Sequence, residues 1–144
     1  MSKTRWGWWP DVIALSAILL AAQMAGPPAP DIAETAAARA VRIGLDGPET
    51  DACSGLGRIG GADSVQIVRA APDDRADPVS ELDRRSFVWL CEAADEWQGI
   101  VYPEGEFQDI ADCRVGSPVA EPRIYHGPCR SGWVRARNIE LMAG

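Results

Sequence analysis

The residues best equipped for chemistry are four cysteines, Cys53, Cys91, Cys113 and Cys129, and a single histidine, His126. His126 stands three positions before Cys129. A Cys–His nucleophile needs a free thiol, a base beside it and a third group that orients the base. Cys129 has other cysteines to oxidise with, and His126 lies in a Gly127-Pro128 turn, so the pair reads as non-catalytic. There is no serine elbow and no phosphate-cradling glycine loop. Carboxylates are abundant but scattered, without the pairing that acid–base hydrolysis uses. A structural zinc site would call for closely spaced ligands such as C-x-x-C, and none occurs. The expectation is therefore no enzyme, no metal and no cofactor.

What remains is binding chemistry. Trp97, Tyr102, Tyr125 and Trp133 supply rings that stack on a peptide or glycan, or that simply fill a small core. The loop with Asp73, Asp74, Arg75 and Asp77 lacks calcium-loop spacing and reads as a solvated turn, since Asp and Pro favour turns.

The elements that position these residues follow from the chain's texture. Lys3 and Arg5 form a basic start, followed by an uncharged run from Val12 to Ala25. That is the pattern of an export signal, and short for a span of roughly 20 residues. Residues 1–25 are read as a signal peptide or, because Leu20 and Gln23 suit a cleavage site poorly, as an uncleaved N-terminal anchor with Trp6, Trp8 and Trp9 at the interface. Residues 26–51, rich in Pro and Ala at their start, are read as a linker. The net charge of −7 argues against nucleic acid as a partner, and the membrane enters only through the N-terminal segment if it is uncleaved. An even cysteine count behind an export signal argues for two disulfides and a periplasmic or secreted protein, inner-membrane anchored if the leader stays.

From Cys53 onward, short apolar runs alternate with turn clusters, an all-β signature. Strands are expected over Val65 to Ala70, Val79 to Leu82, Phe87 to Cys91, Trp97 to Tyr102, Gly132 to Val134 and Asn138 to Met142. Gly55, Gly57, Gly60 and Gly61 read as a flexible connector. Phe107 to Val119 reads as irregular, with room for an inserted hairpin.

Four motifs in order resemble the bacterial SH3-like domain: Val68-Arg69-Ala70-Ala71-Pro72; Leu82 with Val88 and Leu90; Glu96-Trp97 with Ile100 and Val101; and Gly132-Trp133-Val134 with Ile139 and Leu141. The block from Tyr125 to Val134 resembles an exported, cysteine-containing subgroup from proteobacteria. The resemblance implies a small barrel of five to six short strands over residues 52–144. It also implies a non-catalytic envelope module presenting a groove to a cell-wall glycopeptide or an envelope protein peptide; the other reading is an assembly accessory that docks on an envelope protein. Tyr102, Tyr125, Trp97 and Trp133 are the groove candidates, the two Trp rings being the ones best suited to plug a barrel mouth. Arg84 and Arg85 stand where a turn glycine is usual, and Glu104 to Pro122 exceeds the usual hairpin.

Four cysteines allow three pairings. In such a barrel Cys91 points away from the interior, on the face shared by Phe87 and Trp89. The segment carrying Cys53 and Leu56 is free to cover that face. Cys113 and Cys129 flank the irregular insert. The expected pairing is Cys53–Cys91 and Cys113–Cys129.

Overall fold

The computed structural model describes residues 36–144. The expected leader, 1–25, and the first part of the expected linker lie outside the described residues. The described chain is all-β. Its strands are β1 (Arg42–Ile43), β2 (Gly55–Ile59), β3 (Val65–Arg69), β4 (Pro78–Asp83), β5 (Phe87–Ala94), β6 (Trp97–Tyr102), β7 (Arg123–Ile124), β8 (Arg130–Arg135) and β9 (Ile139–Ala143). Seven form one antiparallel sheet in the order β4-β3-β8-β6-β5-β2-β9, and β1 pairs with β7 in a small second sheet.

This architecture corrects four expectations. The sheet does not close into a barrel: β4 and β9 are its edges and share no ladder. Gly55 to Ile59 is not a connector but strand β2, inserted between β5 and β9. Glycine is required there by close approach, since a Cβ on Gly57 would lie 2.6 Å from Ile139 Cγ2 and 3.1 Å from Leu90 Cδ2. The insert forms no hairpin of its own. It makes a short 3-10 helix, Ile110–Cys113, and then lends carbonyls to an earlier segment, Val115 O to Cys53 N–H at 3.0 Å and Ser117 O to Ala52 N–H at 2.9 Å. Finally, the domain does not begin at residue 52, because Val41 and Ile43 from the expected linker are buried in the core.

Two apolar clusters lie on opposite faces of the main sheet. Ile59, Val68, Val88, Ile100, Tyr102 and Val134 form one. Val41, Ile43, Ala52, the four cysteines, Trp97, Val101, Val115, Tyr125 and Trp133 form the other. The alternation of β6 serves both: Ile100 and Tyr102 face one cluster, Trp97 and Val101 the other.

A bulge in β5 explains how the second face is covered. The β5–β6 register skips between Leu90↔Ile100 and Glu92↔Gly99, so Cys91 is the extra residue, and an extra residue lets neighbouring side chains share a face. Cys91 bonds Cys53 (S–S 2.03 Å). Glu92, only 5 % exposed, accepts from the Arg42 backbone N–H at 2.9 Å and pairs with the Arg39 guanidinium. Arg39 also lies 4.8 Å over the Trp133 ring, and its carbonyl accepts the Trp133 indole N–H at 2.7 Å. The segment from Arg39 to Cys53 is thus clasped over the sheet by a covalent bond, an ion pair and a cation–π contact.

Candidate functional site

The four aromatic groove candidates do not meet. Trp97, Trp133 and Tyr125 are buried in one cluster and Tyr102 in the other. Trp133 is fully buried, and the Trp97 ring is covered by the Arg135 guanidinium at 4.4 Å. The Tyr125 hydroxyl is spent internally, donating to Cys113 O and accepting the Cys129 N–H, both at 3.0 Å. Burial raises its pKa. The groove expected of Tyr102 and Tyr125 together is therefore absent, because both rings were recruited to stabilise a small core. His126 is exposed, and the Cys129 sulfur is bonded to Cys113 at 2.01 Å.

Tyr125 borders a cavity of about 650 Å³ beside His126 and Pro128, and Tyr102 a separate one that carries the exposed aromatic rings. A cleft of about 810 Å³ opens between β4 and the segment 103–112. Its floor carries Tyr102 and Leu82, and Ser80 shares a short hydrogen bond with the Tyr102 hydroxyl at 2.5 Å. Burial pushes the Tyr102 phenol above its usual range. Two phenylalanines line it while facing water, Phe87 at 48 % exposure and Phe107 at 95 %. The charged part of the lining is acidic: Glu81, Asp83, Glu104, Glu106, Asp109 and Asp112, against one cation, Arg130. Glu104 holds Arg130 at 3.0 Å. Among the described residues, no three of His, Cys, Asp and Glu converge as metal ligands.

The outer wall is built by local sequence. Asp109 caps the short 3-10 helix, accepting the Ile110 N–H at 2.6 Å, while Asp112 returns to the Asp109 N–H at 2.8 Å, a reciprocal capping box. Arg114 ends the turn with φ of 57°. Gln108 bridges from the Glu104 N–H at 2.7 Å to Pro128 O at 3.0 Å. The Trp89 indole N–H donates to Ile110 O at 2.8 Å, and Cys113–Cys129 fastens the wall to the approach to β8. These contacts fix the wall against β5 and the approach to β8.

Of the sequence candidates, only Tyr102 lies in this cleft; both disulfides join the pairs expected. Sequence reading missed Ser80, Glu81, Phe87, Phe107 and the carboxylates of 104–112. Two signals were present. The Asp109-x-x-Asp112 spacing is that of a capping box, and the insert exceeding a simple hairpin is the segment that forms the wall. No family model, curated protein or solved structure matches this chain.

Proposed function

We propose that this protein is an exported, non-catalytic binding module of the cell envelope that captures a peptide or glycopeptide in the cleft between β4 and residues 103–112. The observation that carries the reading is the cleft itself: about 810 Å³, with water-facing Phe87 and Phe107 in its lining and a wall pinned by a disulfide. Exposed aromatic rings beside fixed polar groups are the usual makings of a recognition site. Two disulfides fit an oxidising compartment outside the cytoplasm, and among the described residues no helix is long and apolar enough to cross a membrane. The SH3-like reading is supported by the placement of its motifs: Val68-Arg69 on β3, Trp97 opening β6 and Gly132-Trp133-Val134 within β8.

The second reading, an assembly accessory that docks on another envelope protein, draws on β9. This edge strand exposes Leu141 and Met142. Pull-down on purified sacculi against envelope protein lysate, with wild type and Phe107→Ala in parallel, separates the two. Capture that Phe107→Ala abolishes supports the cleft. Capture that Phe107→Ala spares and Leu141→Asp abolishes supports the accessory.

A further inference from the structure

We infer that the free edge of β4 accepts an extended, lysine- or arginine-rich peptide as an additional strand of the main sheet. The inference rests on the binding reading above and names its ligand class.

The first observation is an unused ladder. β4 pairs with β3 alone, and among the described residues the backbone of 79–82 makes no hydrogen bond to any other segment. Half of the N–H and C=O groups of such a strand point away from its neighbour and are left for another chain. The second observation is where the cleft runs. It is lined by Ser80, Glu81, Leu82 and Asp83, four consecutive residues. Successive side chains of a strand point to opposite faces. A cleft lined by all four therefore runs along the strand's edge rather than over one face. The six residues of β4 span roughly 20 Å, enough for a peptide of about six residues.

Charge selects the occupant. A strand seated beside β4 would lie between Glu81 and Asp83 on one side and Glu106, Asp109 and Asp112 on the other. Arg130 is already engaged by Glu104. Opposite charges across neighbouring strands stabilise pairing and like charges oppose it. A second copy of this edge would set Glu81 and Asp83 against the same acidic pair, so self-pairing is disfavoured, and Pro78 lacks a donor where the strand begins. The same side chains that repel a copy attract a basic strand. Phe87 and Phe107 would take the aliphatic stems of its long cations. This is strand addition to a sheet edge, with backbone bonds supplying affinity and alternate side chains supplying choice.

The test uses the full chain, oxidised, and four probes. Two are seven-residue peptides of alternating valine with lysine or with glutamate. The third is the lysine peptide N-methylated at every residue, and the fourth is purified sacculi. The lysine peptide is expected to bind, more weakly as salt rises, with NMR contacts between its backbone and the amides of Ser80, Glu81 or Leu82. The glutamate and N-methylated peptides are expected to bind at least tenfold more weakly, and the double variant Glu81→Lys/Asp83→Lys to lose the lysine peptide by a similar factor. Equal binding of the N-methylated peptide, or no effect of the double variant, overturns strand addition. So does failure of the lysine peptide while sacculi are still captured in a Phe107-dependent way, which leaves the envelope-binding reading intact. If neither the lysine peptide nor sacculi bind, strand addition and the broader reading fall together.

Discussion

The indole N–H of Trp89 donates to the carbonyl of Ile110 at 2.8 Å, which ties the sheet's second core to the wall of the acidic cleft. Trp89 sits on β5 and packs against the cluster that holds both disulfides. Trp89→Phe keeps a ring and removes the donor. The expected outcome is a stability loss of about 1 kcal/mol, more if Ile110 O is left without water, with weakened ligand capture because the wall loosens. Urea titration and binding measured on the same variant check both.

The two disulfides should differ in their effects. Cys53–Cys91 closes a separation of 38 residues and Cys113–Cys129 one of 16. In the chain-entropy description these are worth about 4 and about 3 kcal/mol. Cys53→Ser/Cys91→Ser should lower the denaturation midpoint more. Cys113→Ser/Cys129→Ser should instead affect the cleft more, seen as faster amide exchange over 104–113. Equal exchange in that segment for the two variants would contradict the anchoring role.

Trp97→Ala and Trp133→Ala should each cost about 3–5 kcal/mol, as for a large buried ring. Tyr102→Phe should cost less, about 1 kcal/mol, through the orphaned Ser80 partner. Thermal denaturation ranks the three. A Trp133→Ala protein of wild-type stability would remove that ring from the core.

Gly132→Ala should be among the most damaging single-methyl additions. A Cβ there would lie 2.4 Å from Val68 Cγ1 and 3.0 Å from the Arg69 carbonyl oxygen. The oxygen belongs to the backbone of the adjacent strand β3 and cannot rotate away. Overpacking of this sort costs about 1–3 kcal/mol. Gly105→Ala, with nothing within 4 Å but φ of 76°, should cost only its backbone strain. Parallel denaturation curves test the order.

Two groups report pH from opposite ends. Hydrogen bonds from the Arg75 side chain and backbone N–H hold the Asp73 carboxyl down at about 2. Its contribution is present above the ordinary carboxylate range and is lost as pH falls toward 2. Because this loop is solvated, the signature should be a local NMR transition at Arg75 without global unfolding. Tyr102 is raised by burial, so the folded protein holds its phenol proton more tightly than the unfolded chain. Stability is complete below the ordinary tyrosine range near 10 and falls above it. Tyrosinate absorbance should lag in the folded protein and rise with unfolding.

The strand periods were legible because alternation is written in side chains. Trp97 to Tyr102 was read to the residue as β6, and the cysteine pairing followed from which face of β5 needed cover. Arg85 adopts φ of 77° at the turn where glycine was missed, so the turn was legible even though its residue was unusual. Three things were hidden. Gly55 to Ile59 carries too few side chains to display a period, yet it packs as a strand because its glycines admit Leu90 and Ile139. Val41 and Ile43 look like linker because their partners come from Tyr125, Trp133 and Val115, far along the chain. The cleft was invisible for a related reason: Ser80 and Asp109 come to line one cavity only through the tertiary fold, whereas the aromatic residues that stood out in sequence did so because a core needs them.

The place of β6 at the centre of the seven-stranded sheet, with three strands on either side, has a consequence for how the molecule breathes. Opening spreads inward from edges, so the amides of Trp97 to Tyr102 should exchange with solvent only through global unfolding, while those of β4 and β9 exchange through fraying at little cost. Tyr102 stands at the end of that slow strand and its hydroxyl reaches Ser80 on a fast one. The cleft therefore spans from a central strand to an edge strand, across a gradient of local stability. A ligand that clamps β4 should slow exchange at the edge and leave the centre unchanged, which makes occupancy readable without any chemical label on the ligand.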